Sequence, residues 1–297
     1  MSPLKLVSFG EPDRWTGGIL YKNQVISLSH CAARIGWSGV STVRSALEAG
    51  LPSDLADRVS EVMDELRRDG HVCCLSDVRL GPPIPDPEKI ICIGLNYHDH
   101  AEEVGAEPPK APIFFAKYAN SLVGPYDHIV PPRDTHKVDY EAELAVVIGR
   151  SGRYIDPKDA LNHVAGAMVL NDVSARDLQL ANQLWTGGKA IDTFAPCGPW
   201  LTLAKDAGDL MDLSVTTSVN RDVLQNGNTR NMIFGVVEVI AFLSRIMTLR
   251  PGDIIATGTP AGVAASHDPA RFLNPGDLVE VEVSGLGALR NPVAEPA

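Results

Sequence analysis

Two glutamates and an aspartate are the residues whose types and spacing point most directly to chemistry. Glu141 and Glu143 lie in Asp139-Tyr140-Glu141-Ala142-Glu143-Leu144-Ala145-Val146-Val147-Ile148-Gly149, and Asp172 lies in Asn171-Asp172-Val173-Ser174-Ala175-Arg176-Asp177. The first stretch reads as a β-strand, whose side chains alternate faces. Glu141 and Glu143 therefore share one face while Ala142, Leu144, Val146 and Ile148 take the other. Asp172 follows the apolar run from Ala165 to Leu170, where a second strand ends. Three carboxylates delivered to one spot repel unless a cation neutralises them. A hard divalent ion such as Mg²⁺ does so, because it prefers carboxylate oxygens and keeps water positions open to a substrate.

A Glu-x-Glu alternation is also the ordinary wet face of a half-buried antiparallel strand. Two features favour a site here. Ala145 and Val147 turn the glutamate-bearing face apolar just past Glu143, and the run that ends at Asp172 suits a strand buried on both faces. Val279-Glu280-Val281-Glu282-Val283 carries the same alternation and is assigned a half-exposed strand with solvated glutamates.

A second constellation is Asn96-Tyr97-His98-Asp99-His100-Ala101-Glu102-Glu103-Val104, after the strand from Ile90 to Ile93. In a helix, His100 and Glu103 lie three apart on one face, where a carboxylate orients an imidazole and raises its basicity. The plainer reading is a helix start whose acids favour the dipole. Gly94, Gly105 and Pro108-Pro109 frame the segment as a lid. Lys189, in Gly187-Gly188-Lys189-Ala190, is either a loop surface residue or a cation for a developing oxyanion. Arg176 either clamps a substrate carboxylate or pairs with Asp177 or Asp172. Lys117 and the loop Thr257-Gly258-Thr259-Pro260-Ala261-Gly262 remain open between structural and ligand-facing roles.

The elements that must position these groups are mostly strands. Short strands are expected between Leu4 and Ser29, with a turn at Lys22-Asn23-Gln24, and then a helix capped by Ser53, striped by Leu55, Val59, Val62, Met63 and Leu66, and stopped by Gly70. Gly81-Pro82-Pro83-Ile84-Pro85-Asp86-Pro87 permits neither helix nor central strand, so a small N-terminal α+β domain (1–82) and a larger domain (83–297) are expected on either side. Beyond it, strands are read at 89–94, 113–115, 141–148, 164–170, 213–220, 253–257 and 278–283. Helices are fewer: one near 156–162, one after Asp172 and a long amphipathic one near 231–247.

The 297 residues suffice for a substantial core, and the net charge of −11 argues against nucleic acid or an anionic membrane as partner. No apolar run of membrane-spanning length and no secretory signal is read, and five unpaired-looking cysteines suit a reducing cytoplasm.

Taken in order, these segments resemble the fumarylacetoacetate hydrolase family. The matching stretches are Gly94-Leu95-Asn96-Tyr97-His98-Asp99-His100, Phe114-Phe115-Ala116-Lys117, Asp139 to Leu144, Asn171 to Gln179, Gly188 to Thr193 and Thr257 to Val263. The resemblance implies an α+β, mostly β fold of the family's rolled-sheet type, in a homodimer. It implies Glu141, Glu143 and Asp172 as ligands of Mg²⁺ or Mn²⁺, His100 and Glu103 as a lid dyad, and Lys189 as an active-site lysine. Arg176, Gln179 and Thr259 fall where members contact substrate. The further metal-binding aspartate of long eukaryotic members has no equivalent here, which implies a more open metal with three protein ligands.

The chemistry expected from that set starts with a 2-oxo acid chelating the metal, which stabilises an enolate. The leading expectation is hydrolysis of a C–C bond in a 2,4-dioxo acid, with water activated by His100 and Glu103. The alternative is decarboxylation or keto–enol isomerisation of a 2-oxo dioic acid of the oxaloacetate or 2-hydroxyhepta-2,4-diene-1,7-dioate type. A catalytically silent metal- or metabolite-binding protein is the third reading.

Overall fold

The computed structural model describes residues 3–12 and 14–297. Runs of Val, Ile, Leu and Ala with few breakers build the centre of one eleven-stranded mixed sheet. From one edge its order is Val72–Cys74, Gln24–Ser27, Arg14–Tyr21, Lys5–Glu11, Ala195–Leu203, Val164–Asn171, Ala142–Ile148, Ile254–Ala256, Ile90–Gly94 and Ile113–Lys117, with Leu122–Val123 added beside Ala195–Leu203. Ala142–Ile148 is buried at every position, as its near-continuous apolar sequence requires of a strand covered on both sides.

Alternation sorts the two faces. Leu144, Val146 and Ile148 join a core with the four-stranded antiparallel sheet Asp222–Asn228, Ser214–Val219, Leu278–Val283 and Gly287–Pro292 and with the helix Val236–Ile246. Ala145 and Val147 join a second core under the helices Leu28–Ile35, Val43–Ala49 and Leu55–Arg68. Burying these two apolar faces supplies most of the drive to fold, at roughly 25 cal/mol per Å² of apolar surface.

Sheet pairing crosses the proline-rich segment: Lys5 faces Thr202 and Leu6 faces Leu201. The N-terminal helices accordingly share a core with Ile90, Ala145, Met168 and Ile254. The Lys22–Asn23 turn is a two-residue loop with positive φ at both residues, the geometry that matches strand twist.

Several bounds differ from expectation. The 14-residue helix begins at Leu55 after Asp54, not after a Ser53 cap. The long amphipathic helix starts only at Val236, because the segment before it is bonded to the base of the His98–Glu103 helix: Met232 bridges Tyr97, and the Ile233 and Phe234 N–H groups donate to Asn96. Pro157–His163 is 3₁₀. The helix after Asp172 is one turn, Arg176–Gln179, so Asp172 and Arg176 do not share a helix face. Among the described residues no helix is long and apolar enough to cross a membrane.

Candidate metal centre and active site

The floor of the site forms where two antiparallel strands end together. Ala142 faces Asn171 and Glu143 faces Leu170. The Asp172 N–H donates to the Glu141 carbonyl at 2.9 Å, and Asn171 Oδ1 accepts from the Glu141 N–H at 3.0 Å. These bonds bring carboxylate oxygens of Glu141, Glu143 and Asp172 within 4.8 Å of one another. All three residues are buried, at 6 %, 1 % and 0 % exposure.

Three basic side chains converge on this floor. Lys189 Nζ donates to Glu141 Oε2 at 2.7 Å and to Asp172 Oδ2 at 2.9 Å. Lys117 Nζ donates to Asp172 Oδ1 at 2.6 Å and to the Val173 carbonyl at 3.0 Å. Arg176 spans Glu141 Oε1 at 2.7 Å and Asp139 Oδ2 at 2.8 Å, and its Nη1 donates to Gln179 Oε1 at 2.9 Å. Arg176 thus pairs with neither Asp172 nor Asp177, the partners its sequence position suggests. Asp177 is instead taken up by Thr135 and the His136 N–H.

Glu143 is the exception. It accepts the Gly258 N–H at 2.8 Å and has no basic partner among the described residues. Burial and the neighbouring Asp172 and Glu141 carboxylates push its carboxyl well above the ordinary value. Burial pushes Glu141 the same way, but Lys189 and Arg176 outweigh it and hold Glu141 down to about 2. Four buried carboxylates, counting Asp139, face three basic side chains. An all-oxygen donor set with one carboxyl left without a basic partner among the described residues fits a hard divalent cation and not a soft metal. The fit rests on Glu141, Glu143 and Asp172 alone, which form the acidic cluster found among the described residues.

Above the floor stands the helix His98–Glu103, the segment expected to serve as a lid. Asn96 fixes its base, donating to the Thr257 and Phe234 carbonyls at 2.7 and 3.0 Å and accepting the Phe234 N–H. His100 Nδ1 and Glu103 Oε2 are 2.9 Å apart, and Glu103 Oε1 accepts the Gly262 N–H at 2.7 Å. Burial alone would raise the Glu103 carboxyl, but the bonds from His100 and Gly262 hold it below 4.5. Glu103, at the end of this helix, therefore does more than favour a dipole.

The floor and lid enclose a cavity of about 340 Å³ whose lining includes His100, Glu141, Arg176, Gln179, Lys189 and Thr259. Thr259 is held by Gln225, whose Nε2 donates to its hydroxyl at 2.8 Å while Gln225 Oε1 accepts the Ala142 N–H. The sequence reading gave Asp139 no role. It is fully buried, anchors Arg176 and accepts the Ala264 and Ala265 N–H groups. Its place two residues before Glu141 was the available signal. Lys117 gave a weaker one, being a lone charge in an apolar strand.

Residues 89–294 match the model of the fumarylacetoacetate hydrolase C-terminal domain. A Xenopus laevis protein described as oxaloacetate tautomerase fahd2, mitochondrial, is 47 % identical over 225 residues, covering 75 % of this chain and 70 % of that protein. A fumarylacetoacetate hydrolase from Exiguobacterium antarcticum superposes with a TM-score of 0.83 at 34 % identity, covering 98 % of this chain and 99 % of the other. A maleylpyruvate hydrolase from Sphingobium, solved with manganese(II) and pyruvate, superposes with a TM-score of 0.72 at 29 % identity, over 99 % and 100 % of the two chains. This α+β, sheet-dominated enzyme belongs to the fumarylacetoacetate hydrolase family.

Proposed function

We propose that the protein catalyses keto–enol tautomerisation of a 2-oxo dioic acid of the oxaloacetate type. The observation that carries this reading is the 47 % identity to an oxaloacetate tautomerase, above that to either hydrolase structure. It favours the isomerase alternative over the C–C hydrolysis first expected. Tautomerisation moves a proton between C3 and the 2-oxo oxygen and breaks no C–C bond. It needs a base above C3, positive charge at the oxygen and little bulk water.

The chain's residues supply these. Glu103 Oε1 is occupied by the Gly262 N–H, so Oε2 accepts from the His100 Nδ1–H. The free electron pair then lies on Nε2, which would take the C3 proton and deliver it to the 2-oxo oxygen, the reverse transfer giving ketonisation. Two of the three Lys189 ammonium protons are held by Glu141 and Asp172, and the third is available to the oxygen that gains charge. Arg176 keeps Glu141 in place from one side and Gln179 from the other. A divalent ion, Mg²⁺ or Mn²⁺, held by Glu141, Glu143 and Asp172 would supply Lewis-acid polarisation of the 2-oxo group. The same reading carries a homodimer.

The test follows the loss of enol absorbance of oxaloacetate with and without EDTA. His100→Gln and Glu103→Gln should each lower kcat about 10²-fold or more, the usual contribution of a positioned acid–base group, while Mg²⁺ titration is little changed. Rates indifferent to EDTA would remove the metal from the reading. The runner-up, C–C hydrolysis of a 2,4-dioxo acid, draws on the 34 % identity to the Exiguobacterium enzyme. Faster cleavage of acylpyruvates than ketonisation of oxaloacetate would establish it instead, and CO₂ release would mark a decarboxylase.

A further inference from the structure

One wall of the cavity is a ladder of stacked groups. Lys189 Nζ lies 5.1 Å from the centroid of the Phe115 ring. Phe115 meets Trp185 edge-on, with centroids 5.6 Å apart and an interplanar angle of 69°. Trp185 in turn presses on the bare backbone of Gly94. A Cβ built there would stand 2.3 Å from the indole, and its three nearest heavy atoms all belong to that ring.

Both ends of the ladder are fixed by the fold. Alternation along Ile113–Lys117 puts Phe115 on the same face as Lys117, so one strand supplies a cation to the floor and a ring to the wall. Gly94 ends the strand Ile90–Gly94 and is followed by Leu95 at φ +50 and by the Asn96 clamp at the base of the lid. In the loop between the helices Arg176–Gln179 and Thr186–Lys189, Leu184 is left 77 % exposed while its neighbour Trp185 turns inward. The cavity is therefore bounded, one aromatic ring beyond the Lys189 ammonium, by the flat indole of Trp185, which Gly94 keeps from shifting toward the base of the His98–Glu103 helix.

We infer that Trp185 sets the length of substrate: its indole closes the cavity beyond the C4 carbon and confines the site to short 2-oxo acids. This rests on the proposed binding of a 2-oxo acid head at the carboxylate floor. Trp185 is a specificity residue here, and Gly94 acts through it as a positioning residue.

The experiment titrates oxamate and N-benzyloxamate, in the presence of Mg²⁺, into the full chain by calorimetry. The two share the two-oxygen head and differ in the arm. Wild type should prefer oxamate. Trp185→Ala should raise the affinity ratio of N-benzyloxamate to oxamate at least about tenfold, the scale of a changed apolar pocket, with Trp185→Phe between. Gly94→Ala should lower Tm in the wild-type background and have little effect in the Trp185→Ala background, because only the indole occupies the space.

An affinity ratio unchanged in both Trp185 variants would overturn the inference. So would an equal cost of Gly94→Ala with and without the indole. If neither probe binds any variant, including wild type, the 2-oxo acid head fails, and the inference falls with the proposed function. Oxamate binding with unaltered arm discrimination sinks the inference alone.

Discussion

Glu141-Ala142-Glu143 and Glu280-Val281-Glu282 are one pattern in two settings. In the second, Val279, Val281 and Val283 go to the core while Glu282 is exposed and Glu280 half-buried. Glu280 meets Arg290 directly across the strand pair, at 2.7 Å, and Arg290 is itself 62 % exposed. In the first, both glutamates are buried, and one has no cationic partner among the described residues. Alternation fixes which residues share a face, and the neighbouring strands decide whether that face is wet. Holding carboxylates out of water costs several kcal/mol per ion unless charge and hydrogen bonds compensate. The buried pair is therefore the costlier of the two arrangements.

The contrast can be broken at three places. Glu143→Gln should lower kcat/KM about 10³-fold and weaken calorimetric Mg²⁺ binding, since a bound cation contributes several kcal/mol to such chemistry. Glu282→Gln should leave both readouts alone and move stability by no more than about 0.5 kcal/mol. Equal effects would erase the distinction between the two strands. Next in size, Lys117→Met strips a fully buried ammonium from Asp172 and the Val173 carbonyl. Urea unfolding should record a loss of about 3 kcal/mol, as for other broken buried pairs, against less than about 1 kcal/mol for Arg290→Met on the exposed sheet.

The smallest effect concerns pH. The Glu103 carboxyl lies below 4.5 in the folded chain, so the folded state binds its proton less readily than the unfolded one. The bonds from His100 and Gly262 to Glu103, which latch this helix to the Gly262 loop, therefore contribute stability at and above 4.5 and lose it as pH falls through the lower folded value. A carbon NMR titration should place the Glu103 midpoint below 4.5, with slow exchange of the Gly262 amide lost over the same range. A midpoint at or above 4.5 would mean that the latch is not formed in solution.

How far the sequence could be read follows from the range of the interactions. The His100–Glu103 pair is local, three residues apart on a helix, and was legible from spacing. Glu141, Glu143 and Asp172 were legible because each ends or begins an apolar run. The choice of salt partners was not. Arg176 reaches back 37 residues to Asp139, and Lys117 reaches forward 55 to Asp172, contacts that depend on strand order and not on local pattern. The proline-rich segment marked a break in the chain, yet hydrogen-bonded pairing passes over it, because register between Lys5 and Thr202 leaves no trace in either strand alone. The start of the helix at Val236 was hidden for the same reason, since Met232 and Phe234 are held by Tyr97 and Asn96, more than 130 residues away.

That pairing also sets a timetable. The strand Lys5–Glu11 is synthesised well before its neighbour Ala195–Leu203, which follows nearly two hundred residues later. At 5–20 residues per second, roughly 10–40 s separate the two. Throughout that interval the hairpin made with Arg14–Tyr21 presents one unpaired edge, the kind of edge that recruits other chains. Asp172 and Lys189 are also synthesised during this interval, before the sheet that will hold them can close. The carboxylate floor is thus assembled late, and the nascent chain must keep Lys5–Glu11 unpaired on that edge until the matching strand arrives.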